Sequence, residues 1–457
     1  MERHPGTAVR SSGPARAPRV RTAALLAVVL LAALALVLTM CGGPGRTGRG
    51  GPSGTSATGP ALGWGFTHTQ YSADTGTDDA VARARTLLSA QGLPQDQALM
   101  GWGAGNPEPS PGTYDFSDLD RRIEYIRSTG ATPVITLCCA PDWMKGGRPG
   151  ASKTDWSVPA LESAPLPTHY KDFAALAAKV AQRYPDVRHF IVWNELKGFY
   201  DDTGQRWNYE GYTQLYNLVY TAVKKVDKDV LVGGPYLVMD SYGPKDKSYA
   251  SDLKGPWGSV DQRVLDAFTY WNAHKAGADF VVVDGASFTR DSQLLPDAFG
   301  ATDKLTAVSA WVRTASGGLP LWWAEYYVEP DKSGWSEQRR VATQAVGMMA
   351  LARGGTSAAF YWSPQEQSGP CPGCLWTPTQ LAGGGRELPM YALIAKFAAA
   401  FPPGTSFRTV TAEPAGVRVL ASDKDLLVVN TLGRAVDANA DGRPLPLAAY
   451  EVRWLAR

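Results

Sequence analysis

The sequence has few of the residues that metal, redox and thiol chemistry require. Only five of its 457 residues are cysteines. One CPGC motif at 371–374 and one adjacent pair, Cys138 and Cys139, do not make the two CxxC pairs of a typical structural zinc site. A thioredoxin-like CxxC would open a helix, and no such unit is visible. With Cys41 set aside, four cysteines remain. Because an even number of cysteines outside the cytoplasm favours disulfides, we expect Cys371 and Cys374 to bond to each other, while Cys138 and Cys139 could pair together or reach elsewhere.

The sequence also lacks a basic stripe and a phosphate-binding loop. The net charge is +2, but the first 50 residues hold seven arginines against one glutamate, so the remainder is mildly acidic. Nucleic-acid binding depends on clustered positive charge, and we therefore expect no nucleic-acid partner. GWGFTHTQ at 63–70 lacks the glycine spacing of a dinucleotide-binding loop. No metal or organic cofactor is implied.

Charge is absent from one long apolar segment near the N-terminus. A basic n-region at 1–21 precedes TAALLAVVLLAALALVLTM at 22–40, which is close to the roughly 20 residues that span a bilayer. The basic flank predicts a cytoplasmic N-terminus and an extracytoplasmic remainder. Cys41 ends a segment like a bacterial lipoprotein box, although Met40 stands where a small residue is usual. We expect an exported protein that is anchored by this helix or by lipid on Cys41, with cleavage and secretion as the alternative.

The rest of the chain divides into segments that differ in composition and in hydrophobic pattern. A Gly, Pro and Ser-rich linker at 41–60 has nothing to bury. Eight short apolar runs after it predict strands at 61–66, 97–103, 132–138, 189–194, 230–234, 280–284, 321–325 and 358–362. Helical patterns alternate with them near 78–90, 117–128, 168–184, 209–226, 261–275, 303–315, 336–352 and 389–400. Ser117 and Ser336 are predicted helix N-caps.

Near-continuous apolar strands that alternate with helices indicate parallel pairing with both sheet faces buried. Eight such units are what a (β/α)8 barrel requires, and we assign 61–402 to a barrel of this kind. A doubly wound open sheet is the alternative. At 403–457 short alternating runs are split by turn signals, which predicts a small antiparallel β module.

Carboxylates follow two of the predicted strands. In a (β/α)8 barrel the functional site forms where the strands end. Strand 4 ends in Asn194 and Glu195, and Trp322 and Trp323 precede Glu325 at the end of strand 7. Two carboxylates about 5–5.5 Å apart are the acid and the nucleophile of a retaining glycosidase, and like charge at that distance raises the pKa of one of them. The two tryptophans point to opposite faces, so at least one belongs to the core.

Other residues near the strand ends are candidates for substrate contact. Aromatic side chains supply faces on which sugar rings stack, and a carboxylate could bind a sugar hydroxyl. Glu329 and Glu366 lie close enough in sequence to replace Glu325 as the second carboxylate. The candidate substrate-binding residues are Asn194, His68, Trp102, Trp143, Asp284, Tyr327 and Trp362.

Several motifs resemble those of clan A glycoside hydrolases, and most of all family 39, the β-xylosidase and α-L-iduronidase group. They are VWNE at 192–195, VGGP at 232–235, WAE at 323–325 and FYW at 360–362, and PGTYDFSDLDRRIEYIRSTGATPVITL at 111–137 resembles the region between the second and third strands. The resemblance covers roughly 61–400.

The resemblance implies a role for three residues. Glu195 matches the general acid/base, Glu325 matches the nucleophile, and Asn194 matches the residue that bonds the sugar hydroxyl next to the reacting carbon. Two stretches depart from the family pattern. LKGFYDD follows WNE in place of an aromatic or proline-rich segment, and VVVDGASF with Asp284 stands where a His with a nearby Tyr is usual.

The sequence thus predicts an exported, membrane-tethered O-glycosyl hydrolase that acts as a monomer on an extracellular or cell-surface polysaccharide or oligosaccharide by double displacement. One alternative is a carbohydrate-binding barrel without catalysis, which would place Glu195 and Glu325 more than about 10 Å apart. Another alternative is a transglycosylase that assembles an extracellular polysaccharide.

Overall fold

Eight parallel strands close into a barrel. The structure is a computed structural model that describes residues 61–457 except Gly92, Pro94 and Pro370. In chain order the barrel strands are β1 (Gly63–His68), β2 (Gln95–Leu99), β3 (Thr132–Leu137), β4 (His189–Val192), β5 (Leu231–Val238), β6 (Phe280–Asp284), β7 (Leu321–Trp323) and β8 (Ala358–Tyr361). Each strand pairs in parallel with the next, and β8 pairs with β1. This closure confirms the predicted (β/α)8 barrel and excludes the open sheet.

Helices follow the strands and cover the outside of the barrel. They are α1 (Asp78–Gln91), α2 (Ser117–Ser128), α3 (Tyr170–Arg183), α4 (Tyr209–Val226), α5 (Gln262–His274), α6 (Asp303–Ala315), α7 (Glu337–Arg353) and α8 (Pro389–Ala400). Ser336 caps α7 as predicted, since its hydroxyl accepts a hydrogen bond from the Arg339 amide at 3.3 Å. The predicted cap at Ser117 is wrong. Ser117 is the first residue of α2, and its own amide donates to the Asp115 carboxylate at 3.0 Å.

Large side chains fill the barrel interior. Trp322 stacks on Phe280 with ring centroids 3.9 Å apart, and both side chains are fully buried. Gly233 leaves room for this pair, because a Cβ at that position would lie 2.2 Å from the Phe280 ring. Trp323, on the opposite face of β7, packs in the layer between strands and helices. Both tryptophans are therefore core residues.

The loops at the C-terminal strand ends carry short elements of their own. A hairpin of Tyr200–Asp201 and Arg206–Trp207 follows β4, and a three-stranded sheet of Ser241–Tyr242, Ala250–Gly255 and Gly258–Asp261 follows β5. Arg263 joins the two insertions, since it donates to the Tyr200 hydroxyl at 2.9 Å and pairs with Asp261 at 2.6 Å. The loop after β3 contains 3₁₀ turns at Asp142–Lys145, Ala151–Lys153 and Pro167–His169 and a helical turn at Val158–Leu161, and a 3₁₀ turn at Gly300–Thr302 precedes α6.

The C-terminal residues form the predicted antiparallel module, which packs on the barrel in one compact unit. One sheet contains Ala412–Glu413, Val436–Ala440 and Arg443–Leu447, and the other contains Val417–Ala421, Asp425–Asn430 and Val452–Ala456. Trp454 packs against Phe397 and Phe401, with ring centroids 6.1 and 5.7 Å away. This contact joins the module to α8.

The predicted n-region (1–21), membrane anchor (22–40) and linker (41–60) lie outside the described residues. Among the residues that are described, no helix combines the length and the apolar character needed to cross a membrane. The described cysteines are paired, since Cys138 bonds to Cys139 and Cys371 bonds to Cys374.

Candidate active site

Glu195 reaches the mouth of the barrel through an abrupt change of backbone direction after β4. Trp193 has φ 69° and Glu195 has φ 51°, values in the left-handed region that side chains other than glycine rarely adopt. Such residues cost of order 1–3 kcal/mol each and cluster at functional sites. The turn is held by the indole of Trp193, which donates to the Lys197 carbonyl at 2.9 Å and packs edge-on against Phe173 and Phe199.

Glu325 follows β7 and is held by two tyrosines. The Tyr236 hydroxyl donates to its Oε1 at 2.6 Å, and the Tyr327 hydroxyl donates to its Oε2. Glu325 is 3% exposed and Glu195 is 8% exposed. Both carboxyl groups are thus largely removed from water, and each keeps specific polar partners.

A third carboxyl group, that of Asp284 at the end of β6, lies against these two. One carboxylate oxygen from each of Glu195, Asp284 and Glu325 lies within 4.8 Å of the others. Retaining glycosidases hold their two carboxyl groups about 5–5.5 Å apart, and inverting enzymes hold them about 6.5–9.5 Å apart. The spacing fits the retaining geometry and lies well inside the separation of about 10 Å expected for a barrel without catalysis.

Lys197 supplies the positive charge at this cluster. Its Nζ lies 2.6 Å from Glu195 Oε2 and 3.3 Å from Glu162 Oε1, and it sits 5.1 Å from the centre of the Trp102 ring. The three carboxylates have a spacing that could also suit a metal ion. The Lys197 ammonium would repel a cation bound beside Glu195.

The surroundings push the pKa values of the two glutamates apart. Burial raises the pKa of Glu325 to about 8, and the neighbouring Glu195 adds to the rise, while Lys197 and the two tyrosines oppose it. Burial acts in the same direction on Glu195, but the Lys197 charge and hydrogen bonds from Asp284 and Lys197 bring its pKa below the ordinary value. At neutral pH the pair therefore shares about one proton, which belongs to the pair and not to one residue.

The other predicted contact residues fall into two groups. Asn194 is 1% exposed, its Nδ2 lies 3.5 Å from Glu195 Oε2, and its Oδ1 has no partner within the described part of the chain. Tyr327 and Asp284 also belong to the carboxyl cluster, and Trp102 lies beside Lys197. These four residues share one site with Glu195 and Glu325.

The remaining three are placed differently. His68 is fully buried, with its Nδ1 bonded to the Ser72 hydroxyl and its ring against Phe66 and Tyr125. Trp143 is half-buried, and its indole donates to the Glu108 carbonyl at 2.9 Å. Trp362 is half-buried directly after β8. The structure thus places His68 in buried packing against Phe66 and Tyr125.

The alternative carboxylates are not in the cluster. Glu329 pairs with Arg340, whose Nη2 lies 2.8 Å from its Oε1. The group of three close carboxylates contains Glu325 and neither Glu329 nor Glu366. Glu325 is therefore the residue that faces Glu195.

Sequence reasoning missed two residues of the site, Tyr236 and Lys197. Strand alternation in β5 would turn Tyr236 outward, but the register with β6 slips there, so that Val282 pairs with Pro235 and Val283 pairs with Leu237. Tyr236 is the extra residue of this bulge, with φ 58°, and it points into the barrel. For Lys197 the signal was available, since it stands two residues after Glu195 in the segment that departs from the family pattern.

The chain is similar to known proteins in part of its sequence and in its fold. No protein-family model matches the chain. A β-xylosidase of Caldicellulosiruptor saccharolyticus is 29% identical over 151 residues, which are 30% of this chain and 28% of that protein. The match therefore spans less than a third of the relative's length.

Solved structures match over much more of the chain. A monomeric β-xylosidase from Caulobacter crescentus CB15 superposes with a TM-score of 0.53 at 18% identity, over 83% of this chain and 76% of that chain. This likeness shows a shared barrel fold. A family 30 subfamily 8 xylanase from Clostridium acetobutylicum superposes with a TM-score of 0.51 at 14% identity, over 83% of this chain and 84% of that chain. The predicted resemblance to clan A, and to the β-xylosidase group within it, is confirmed at the level of the fold.

Proposed function

We propose that this chain is a retaining glycoside hydrolase in which Glu195 is the general acid/base and Glu325 is the nucleophile. One observation carries the proposal. Two buried carboxyl groups from the ends of β4 and β7 have oxygens within 4.8 Å of each other, a separation at which one can attack an anomeric carbon while the other protonates the leaving oxygen. Fold likeness to known glycosidases supports the same reading.

The reaction follows from the positions of the groups. In the first step Glu195 gives its proton to the glycosidic oxygen while a Glu325 oxygen forms a bond to the anomeric carbon, and the bond to the leaving sugar breaks. In the second step Glu195 takes a proton from water, whose oxygen attacks the same carbon and releases Glu325. The Oδ1 of Asn194, which has no partner among the described residues, is suited to bond the adjacent sugar hydroxyl.

The shared proton must lie on Glu195 when the first bond breaks. In the resting site Lys197 stabilises the ionised form of Glu195. Glu162 offers the ammonium a second partner at 3.3 Å, so a sugar that enters next to Glu195 can displace Lys197 toward Glu162. The proton then moves to Glu195, and the Tyr236 and Tyr327 hydroxyls stabilise the Glu325 anion. The net charge of the cluster stays constant throughout.

The substrate and the location are part of the same proposal. Two of the similar proteins are named β-xylosidases, and we propose a xylose-type or related neutral glycoside in an extracellular or cell-surface polysaccharide. The protein would be exported, held at the membrane by residues 22–40 or by Cys41, and active as a monomer. The two disulfides favour an oxidising compartment.

The test uses residues 61–457 with activated aryl xylosides, arabinofuranosides, galactosides and glucosides. We expect turnover of at least one substrate, and loss of turnover in Glu195→Gln and in Glu325→Gln. Azide should restore activity to Glu325→Ala and yield a glycosyl azide of inverted configuration. A protein that binds glycans without turnover, or a full rate in both glutamine variants, would contradict the proposal.

A further inference from the structure

Asp284 is a buried carboxyl group that the two-carboxylate mechanism does not use. It ends β6, is 1% exposed, and neither of its carboxylate oxygens has a donor outside the carboxyl cluster in the described part of the chain. A buried carboxylate anion normally accepts several hydrogen bonds or pairs with a cation. Among the described residues outside the carboxyl cluster, Asp284 has no hydrogen-bond donor and no paired cation, so its ionised form would be poorly stabilised.

Its neighbours make the ionised form less favourable still. Oxygens of Glu195 and Glu325 lie within 4.8 Å of an oxygen of Asp284. Carboxylates this close to one another repel, so the neutral form of one of them is favoured. Burial, followed by the charges of Glu195 and Glu325 and a hydrogen bond to Glu195, raises the pKa of Asp284 well above its usual value.

Charged and titratable groups face Asp284 from every side of the site. Lys197 opposes the rise in pKa, but its ammonium contacts Glu195 and Glu162. Lys304 of α6 is buried, and its pKa falls to about 8 chiefly through burial, with Asp240 and then Asp284 opposing the fall. The groups that face Asp284 are Glu195 and Lys197 after β4, Tyr236 of β5, Lys304 of α6, and Glu325 and Tyr327 after β7.

We propose that Asp284 is a positioning residue that works as a neutral carboxylic acid, donating its O–H to Glu195 and so fixing the acid/base carboxyl without adding a third negative charge. The inference rests on the proposed function, because it assigns Asp284 a part in the work of Glu195. No proton leaves Asp284 during the cycle. The neutral O–H also limits the charge that Lys197 must balance.

The protonation state can be tested without activity, by comparing the unfolding of wild type and Asp284→Asn over pH. An aspartate that is neutral when folded takes up a proton on folding once the pH exceeds its unfolded pKa of about 3.9. The contribution of Asp284 to the stability of the wild type is then fully present below that pH, and it is lost as the pH rises toward the folded pKa. Asparagine needs no proton. The folding equilibrium constant of Asp284→Asn, divided by that of the wild type, should therefore rise by up to about tenfold per pH unit above pH 4.

A gap between the two proteins that stays constant from pH 4 to 8, or that favours wild type as the pH rises, would overturn the proposal. Either result means that Asp284 is ionised in the folded protein. The readout does not involve turnover, so it holds even if the chain hydrolyses no glycoside. Failure of the proposed function and failure of this inference are therefore distinguishable.

Kinetics test the positioning role. Asp284→Asn keeps a neutral donor of the same shape, and we expect kcat/KM within about tenfold of wild type at pH 6–7. Asp284→Leu has similar bulk without a donor, and should lose about 100-fold or more, mainly in kcat. If Asp284→Leu does not fold, Asp284→Ala replaces it. Equal, large losses in the Asn and apolar variants would show that Asp284 acts as an anion, which contradicts the proposal.

Discussion

At the scale of single residues, the site depends on how one lysine is shared. Lys197 lies between Glu195 and Glu162, and it lowers the pKa of both Glu195 and Glu325. Without this charge a buried site with three carboxyl groups would hold more protons, and Glu325 would ionise only at higher pH. Lys197 therefore sets the pH range in which one glutamate is protonated and the other is ionised.

We predict that Lys197→Met moves the whole bell-shaped pH profile of kcat/KM toward higher pH by about one unit or more. Both limbs move the same way, because the acidic limb reports ionisation of the nucleophile and the alkaline limb reports loss of the acid's proton. Lys197→Arg keeps the charge and should keep the profile. Lys254→Met, which removes an exposed pair with Asp252, is the matched control. An unmoved profile in Lys197→Met would show that the ammonium does not act on the reacting pair.

A second prediction concerns the donor to the nucleophile. In the wild type, the Tyr236 hydroxyl lies 2.6 Å from Glu325 Oε1, and its hydrogen bond lowers the pKa of that carboxyl group. Tyr236→Phe removes this hydroxyl. The pKa of Glu325 should rise, so the acidic limb of kcat/KM moves to higher pH, and kcat should fall by about 10- to 100-fold. Tyr216→Phe is the control, because the Tyr216 hydroxyl donates to the Gly277 carbonyl at 2.8 Å and not to the carboxyl cluster. This variant should leave the acidic limb and kcat unchanged. Equal effects in the two variants would indicate general destabilisation.

At the scale of elements, the strands and helices of the barrel could be predicted because each is long and strongly patterned. The apolar run FVVVD, for example, corresponds to β6 at Phe280–Asp284 without a shift. The strands inserted after β4 and β5 were not predicted. Segments such as Ala250–Gly255 are short and polar, and they form strands only because a neighbouring segment pairs with them.

In the site, too, residues placed by a local sequence pattern could be predicted, and residues placed by the pairing or curvature of strands could not. Glu195 and Glu325 could be predicted because both directly follow apolar strands. Tyr236 could not, since a bulge reverses the side to which strand alternation assigns it. Asp284 was predicted as a substrate contact, but its closeness to both glutamates depends on the curvature of the closed barrel, which no local pattern contains.

The helix caps give a third prediction. Ser336→Ala removes the hydroxyl that accepts from the Arg339 amide at the start of α7, so the free energy of unfolding should fall by about 1 kcal/mol. Catalytic activity should not change, since this helix end lies outside the carboxyl cluster. Urea unfolding measures the effect. Ser117→Ala is the control, because Ser117 does not cap α2, and it should cost clearly less; equal losses would show that the Ser336 hydroxyl contributes nothing as a cap.

At the scale of the whole molecule, the barrel brings together groups that are far apart in sequence. Glu195, Asp284 and Glu325 come from three different strand ends, and the C-terminal module fastens the outer helices through contacts such as Arg353 with the Val419 carbonyl. The carboxyl cluster thus exists only when the barrel is closed. Its pH behaviour consequently reports on the intact fold as well as on chemistry.

The final prediction concerns the attachment of the protein to the membrane. The segment at 22–40 has the length and apolar character of a membrane anchor in the sequence, and the first strand of the barrel begins at Gly63. We expect the full chain, expressed in a bacterium, to sediment with membranes and to resist a carbonate wash. Residues 61–457 should stay in the soluble fraction with the same kcat/KM on an aryl glycoside. Incorporation of labelled palmitate separates the two forms of attachment, because only a protein lipidated on Cys41 takes up the label and Cys41→Ala abolishes that uptake, whereas a helix-anchored protein stays unlabelled. A full chain that is soluble in the cytoplasm would contradict both forms of attachment, and would leave the barrel without access to a polysaccharide outside the cell.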